Sequence, residues 1–234
     1  MAETRNKESI KRIGTGLSMI LAPLLLAVGF AIHPAEKSNG AEQLQVIADN
    51  IGRWNTAHIL ILASAVLFIP AVLGLMHLLR YRGVWFGLFG GALAGVGVVC
   101  LGALVGVDAL ATSAFADVPA DQRAGLAPGM QAIGDAQGAI PVAYLSAGLI
   151  FGLIVLAAGL FVTHTAPRWA SVTIEVASLV LLASLVGNNE KIGAVGATVL
   201  LISLGALGLQ TLRQTDEAWE TPSADSGDVE PAHS

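Results

Sequence analysis

The sequence predicts an all-α integral membrane protein: a bundle of six transmembrane helices, both termini cytoplasmic, with an outer amphipathic helix between the first two spans. Three observations predict it. Apolar residues make up 54% of the 234 and charged residues only 12%, and the mean hydropathy is +0.71, outside the range of ordinary soluble domains. The apolar residues come in continuous runs rather than alternating with polar ones, which argues against a barrel. Six of these runs approach the roughly 20 residues that a helix rising about 1.5 Å per residue needs to cross a hydrocarbon core of about 30 Å.

The elements follow in order. Residues 1–12 form a basic N-terminal segment, TRNKESIKR, ahead of a first span at 13–32. That plan is shared by secretory signals, but the apolar core is too long for one and reads as an uncleaved helix. In the connection SNGAEQLQVIADNIGRW, Leu44, Ile47, Ile51 and Trp54 recur at helical spacing with polar residues between them. This is the outer amphipathic helix, with Ser38 as its expected cap. Spans at 59–79 and 84–107 are joined by the short RYRG. The next connection, DVPADQRAGLAPGMQAIGDAQGA, is interrupted by Pro119, Pro128 and several glycines and admits only short helical turns. Spans at 140–162, 170–187 and 192–212 complete the six-helix domain, 13–212; the fifth is the shortest and carries Glu175. Residues 213–234 have the composition of an acidic, disordered cytoplasmic tail, with six acids in the last nineteen positions.

Basic residues orient the bundle. Arg5, Lys7, Lys11, Arg12, Arg80, Arg82, Arg168 and Arg213 fall on one side, against Lys37, Arg53, Arg123 and Lys191 on the other, so the first side is expected in the cytoplasm. Trp54, Trp85 and Trp169 stand near span ends, where amphipathic rings anchor in the headgroup layer.

Helix packing is legible in the glycines. Gly87, Gly91 and Gly95 are four apart on the third span, and Gly102 and Gly106 repeat the interval, with Gly148 and Gly152 on the fourth. Small residues at this spacing let backbones approach for the van der Waals contact that drives association in lipid. The same face serves packing within the chain or a dimer contact.

Ionisable groups near apolar spans are the functional candidates, because they are costly in lipid. His33, His58 and Asp108 form a candidate outer polar cluster; His77, His164 and Glu175 form an inner one. Histidine pairs also hold haem iron, but His58 and His77, nineteen residues apart, lie at opposite ends of one span. The lone Cys100 excludes an internal disulfide and a Cys-rich metal or cluster site. The sequence contains no Walker loop, no His-Glu-x-x-His, no Gly-x-Ser-x-Gly and no basic aromatic surface for nucleic acid. No catalytic residue, metal site or cofactor is therefore expected.

The run IADNIGRWNTAHILILASAVLFIPAVLGLMHLLRYRG, followed by the Gly-rich span and later by APRWAS, resembles a group of small bacterial, often actinobacterial, polytopic membrane proteins of unknown function. The resemblance covers most of residues 13–212. It implies a six-helix fold in a bacterial inner membrane and transfers no catalytic role. The expected function is a non-enzymatic accessory or partner-binding component, with the lipid bilayer and other membrane subunits or a second copy as partners. A small secondary transporter built on the inner cluster is the alternative, and a haem b redox protein a lower one.

Overall fold

The computed structural model describes residues 2–134 and 139–221, and every regular element among them is helical. The helices are α1 (Ala2–Ile32), α2 (Gly40–Asp49), α3 (Ile51–Leu79), α4 (Val84–Ala116), α5 (Ala120–Arg123), α6 (Ala127–Gly134), α7 (Ala139–Ser146), α8 (Gly148–Thr163), α9 (Arg168–Gly187), α10 (Glu190–Arg213) and α11 (Asp216–Glu220), with a 3-10 turn at Ala124–Leu126. Six stretches are long and apolar enough to cross a membrane: Ser9–Ile32, Ile51–Leu79, Val84–Ala116, Pro141–Thr163, Arg168–Gly187 and Glu190–Arg213. This is the architecture of a multi-pass membrane protein.

The spans close into a ring. In spatial order α1 packs on α3, α3 on α4, α4 on α8, α8 on α9, α9 on α10, and α10 returns to α1. Met19, Phe68, Leu75, Leu153, Ile174 and Leu200 face inward and are buried, while Ile59, Val66, Leu73 and Val99 are exposed on the outside. So extensive an apolar outer surface suits a hydrocarbon surround rather than water. One end of the ring gathers His33, Trp54, Asp108 and the turn at 188–190; here it is called the mouth end. The other gathers Arg12, Arg80, His164 and α11, and is called the terminal end.

Three helices run past the spans expected from hydropathy alone, the first being α1, which begins at Ala2 rather than 13. α3 begins at Ile51 rather than 59, because its first polar turns are satisfied by neighbours. Arg53 donates to the Ile32 carbonyl, the Trp54 indole N–H to Thr112 at 3.0 Å, and Ser113 to the Asn55 side-chain oxygen at 2.6 Å. α4 continues to Ala116 rather than 107, a rod about 50 Å long. α2 occupies the position expected of the amphipathic helix, but its cap is Asn39 rather than Ser38: the Asn39 side chain accepts from the backbone N–H groups of Ala41 and Glu42 at 2.9 and 3.2 Å. Leu44 and Ile47 of α2 join Trp54, Ala116 and Met130 in a second small core. The connection after α4 supplies α5, the 3-10 turn and α6, short turns as its prolines require.

The closest helix approach differs from the predicted glycine stripe. Gly87 has ordinary clearance and Gly91 receives Met76 of α3, but Gly95 and Gly106 face open space and Gly102 only touches Leu62. The tight seam is a quarter turn away. A Cβ on Gly97 would overlap the Leu149 backbone nitrogen, one on Gly90 would lie 2.8 Å from Leu156, and one on Gly152 would overlap the Ala94 backbone. Spacing of four located a glycine-rich helix without fixing which of its faces carries the contact, since Gly90 and Gly97 complete a parallel row seven apart.

The tail is not disordered throughout. Thr215 caps α11 by accepting from Ala218 N–H at 3.2 Å, and Asp216 receives Arg12 of α1 at 2.9 Å. Trp219 is 4% exposed. Residues 222–234, the rest of the expected tail, lie outside the described residues.

Candidate functional site

The ring encloses a cavity of about 640 Å³, lined by residues from α1, α3, α4, α8, α9 and α10 and from the mouth-end connections. Its floor is apolar, with Phe68, Leu153 and Leu200. Phe68 lies ten residues beyond His58 on α3, so the floor is about 15 Å below the polar rim. The volume falls within the roughly 300–1,000 Å³ of small-molecule sites.

The rim is built around Trp54, which the sequence had suggested as an interfacial anchor. It is 1% exposed, packed in the small core with Leu44, Ile47, Ala116 and Met130 and against two histidine rings, His33 at 4.7 Å and His58 at 4.5 Å between ring centroids. The His33 and His58 rings are themselves 5.0 Å apart. Trp85 and Trp169, by contrast, are 71% and 51% exposed.

His58 has both ring nitrogens engaged. Nδ1 meets the Trp54 carbonyl at 2.9 Å and Nε2 meets the Asp108 carboxylate at 2.9 Å. Both partners accept, so a doubly protonated ring would donate to each of them, with its charge balanced by the carboxylate. Thr112, which accepts from Trp54, donates in turn to the Asp108 carbonyl at 2.5 Å. α3 and α4 are thus joined by a continuous polar chain at the cavity rim.

The opposite side of the rim comes from the connection after α1 and from the α9–α10 turn. The Asn188 amide donates to Glu36 at 3.1 Å; Asn188 ends α9 in the left-handed region at φ 45°, which Asn tolerates better than most residues. Asn189 caps α10, and Glu190 opens that helix. Glu36 has accessible surface because it faces the cavity, yet the walls enclose it, and this desolvation holds its carboxyl above the usual range. The His33 pKa is lowered, first by burial and then by neighbouring His58.

Of the sequence candidates, His33, His58 and Asp108 converge at the mouth. His77, His164 and Glu175 do not form the inner cluster expected of them. His77 donates from Nε2 to the Trp219 carbonyl at 2.9 Å and stacks on that ring at 3.8 Å. His164 is exposed at the left-handed end of α8 and meets Arg168. Glu175 is half-buried and has no hydrogen-bond or ion-pair partner among the described residues. Chain direction put the three on one side of the bilayer, but the ring order spreads them around it.

These engagements also bear on haem. His58 has no free nitrogen, His77 is closed off by Trp219, and both nitrogens of His164 are used, Nδ1 on the Val162 carbonyl at 3.0 Å. The residues do not fit a bis-histidine haem.

No protein-family model, curated protein or solved structure matches this chain. The site must therefore be read from its own chemistry. Sequence reasoning missed Glu36, Glu190 and Asn188 on the rim and Thr112, buried behind it. Two signals were present: the adjacent NNE of the α9–α10 turn, and the HPAE that follows the first span.

Proposed function

We propose that the chain is a non-enzymatic binding protein of the bacterial inner membrane, an accessory component whose cavity takes up one small amphiphilic molecule. The observation that carries this reading is the polarity of the cavity: an acid- and histidine-bearing rim above a floor of Phe68, Leu153 and Leu200. An amphiphile matches it end to end, with a hydrogen-bonding, neutral or cationic head at Glu36 and Asp108 and its apolar part below. The mouth faces outward in this proposal. Support comes from the basic residues, eight of which belong to the terminal side against four on the other.

The accessory role rests on the outer surface of α4, where Gly95 and Gly106 leave room for another membrane helix. Transport remains the alternative function, and the cavity is its support. It no longer draws on a joint role for His77, His164 and Glu175.

Mass spectrometry of organic extracts from the purified protein tests the binding reading. Val105, half-buried on the cavity wall, is replaced by Trp to fill the space. About one amphiphile per chain should accompany the wild type and be depleted in Val105→Trp at equal thermal stability. Equal ligand content in both proteins would contradict the proposal.

A further inference from the structure

From the meeting of His33, Glu36 and Glu190 at the cavity rim, we infer a binding site for one divalent transition-metal ion, of which zinc is the best match. One nitrogen or oxygen of each residue lies within 4.8 Å of the other two. Two segments far apart in sequence supply them: the connection after α1 gives His33 and Glu36, and the first turn of α10 gives Glu190.

Three features distinguish this group from acids that merely share a surface. First, His33 is buried and its Nδ1 donates to the Pro34 carbonyl at 2.8 Å. That bond fixes the tautomer and leaves the Nε2 lone pair for a ligand, the arrangement by which proteins orient a metal-bound imidazole.

Second, Glu36 is itself held, by the Asn188 amide on Oε2, so one of the two carboxylates has an outer partner too. Third, the two carboxylates stand together with the imidazole, each offering a ligand atom within 4.8 Å of the others; a divalent ion would offset the repulsion between the carboxylates by joining them.

The donor set selects the metal class. One imidazole and two carboxylates suit zinc or a similar borderline ion better than magnesium or calcium, which take oxygen ligands alone. A tetrahedral zinc with bonds of about 2.0–2.1 Å holds its ligand atoms about 3.3 Å apart. The cluster therefore closes by at most about 1.5 Å, a distance covered by rotating the Glu36 and Glu190 side chains. Three protein ligands leave a fourth position, directed at the cavity.

Such an ion would tie the start of α10 to the end of α1, beside the cavity opening. Its binding does not depend on which molecule the cavity takes.

Titrating zinc chloride into tag-free, chelator-treated protein in mild detergent, read by isothermal calorimetry, tests the site. Wild type should bind one zinc per chain at micromolar or lower Kd. Glu36→Gln and His33→Gln should each weaken binding by about tenfold or more, while Glu42→Gln, an exposed acid on α2, should match wild type. Glu36→Gln alters a side chain that faces the cavity and has little packing to lose, so it answers the question even if the buried His33 variant fails to fold. No binding by wild type, or unchanged binding by Glu36→Gln, would overturn the inference.

Discussion

Asp108 shows how a single carboxylate can organise a membrane site. Its partner ring, His58, is 5% exposed, whereas the Asp108 side chain is 39% exposed through the cavity. A hydrogen bond to a charged group contributes about 1.5–3 kcal/mol, and leaving a buried donor unsatisfied costs about 1–3. Access to cavity water reduces both. Asp108→Asn keeps the shape but removes the charge that balances the His58 ring, so it should lower stability by about 1 kcal/mol. Thermal unfolding in detergent measures this, and Glu42→Gln, an exposed acid on α2, provides a comparison with no bond to His58. An unchanged melting temperature for Asp108→Asn would mean that the pair is not a fixed element of the rim.

At the scale of elements, the ring is held where backbones touch. The seam of α4 with α8 has no side-chain layer between Gly97 and Leu149 or between Gly152 and Ala94. Gly97→Ala must therefore push the helices apart and should destabilise the protein by about 1–3 kcal/mol. Gly95→Ala meets nothing within 4 Å and replaces a poor helix former with a good one, worth up to about 1 kcal/mol. Its melting temperature should be unchanged or higher; the reverse order would misplace the seam.

Which spans exist was readable from hydropathy, since each long apolar run has one solution in lipid. Which face of an element meets a neighbour was not. Gly87, Gly91 and Gly95 had the right spacing, yet only tertiary packing chose the row through Gly90 and Gly97. α11 was hidden for a related reason. Acidic composition describes the whole tail, whereas the local TDEAWE carries a Thr cap, acids in a first helical turn and a Trp that packs on His77.

For the molecule as a whole, closing six helices into a ring brings together residues distant in sequence and leaves a space along the axis. His33, His58 and Asp108 could be assigned to one side from topology, and their convergence follows because α1, α3 and α4 are consecutive in the ring. Glu36 and Glu190 could not be paired in advance, because ring closure between α1 and α10 joins opposite ends of the chain. The inner histidines failed for the converse reason: a common side of the membrane is a plane, and α3, α8 and α9 enter it at different places.

The central claim is that an amphiphile occupies this enclosed space rather than the outer surface. Photolabelling with a single-chain amphiphile carrying a diazirine in its tail, followed by peptide mapping, tests it most directly. The account predicts adducts on cavity-facing residues such as Leu104, Val105 and Ile150, suppressed by unlabelled amphiphile and by Val105→Trp. Adducts confined to outward-facing Ile59, Val66 and Val99, unaffected by either, would contradict it.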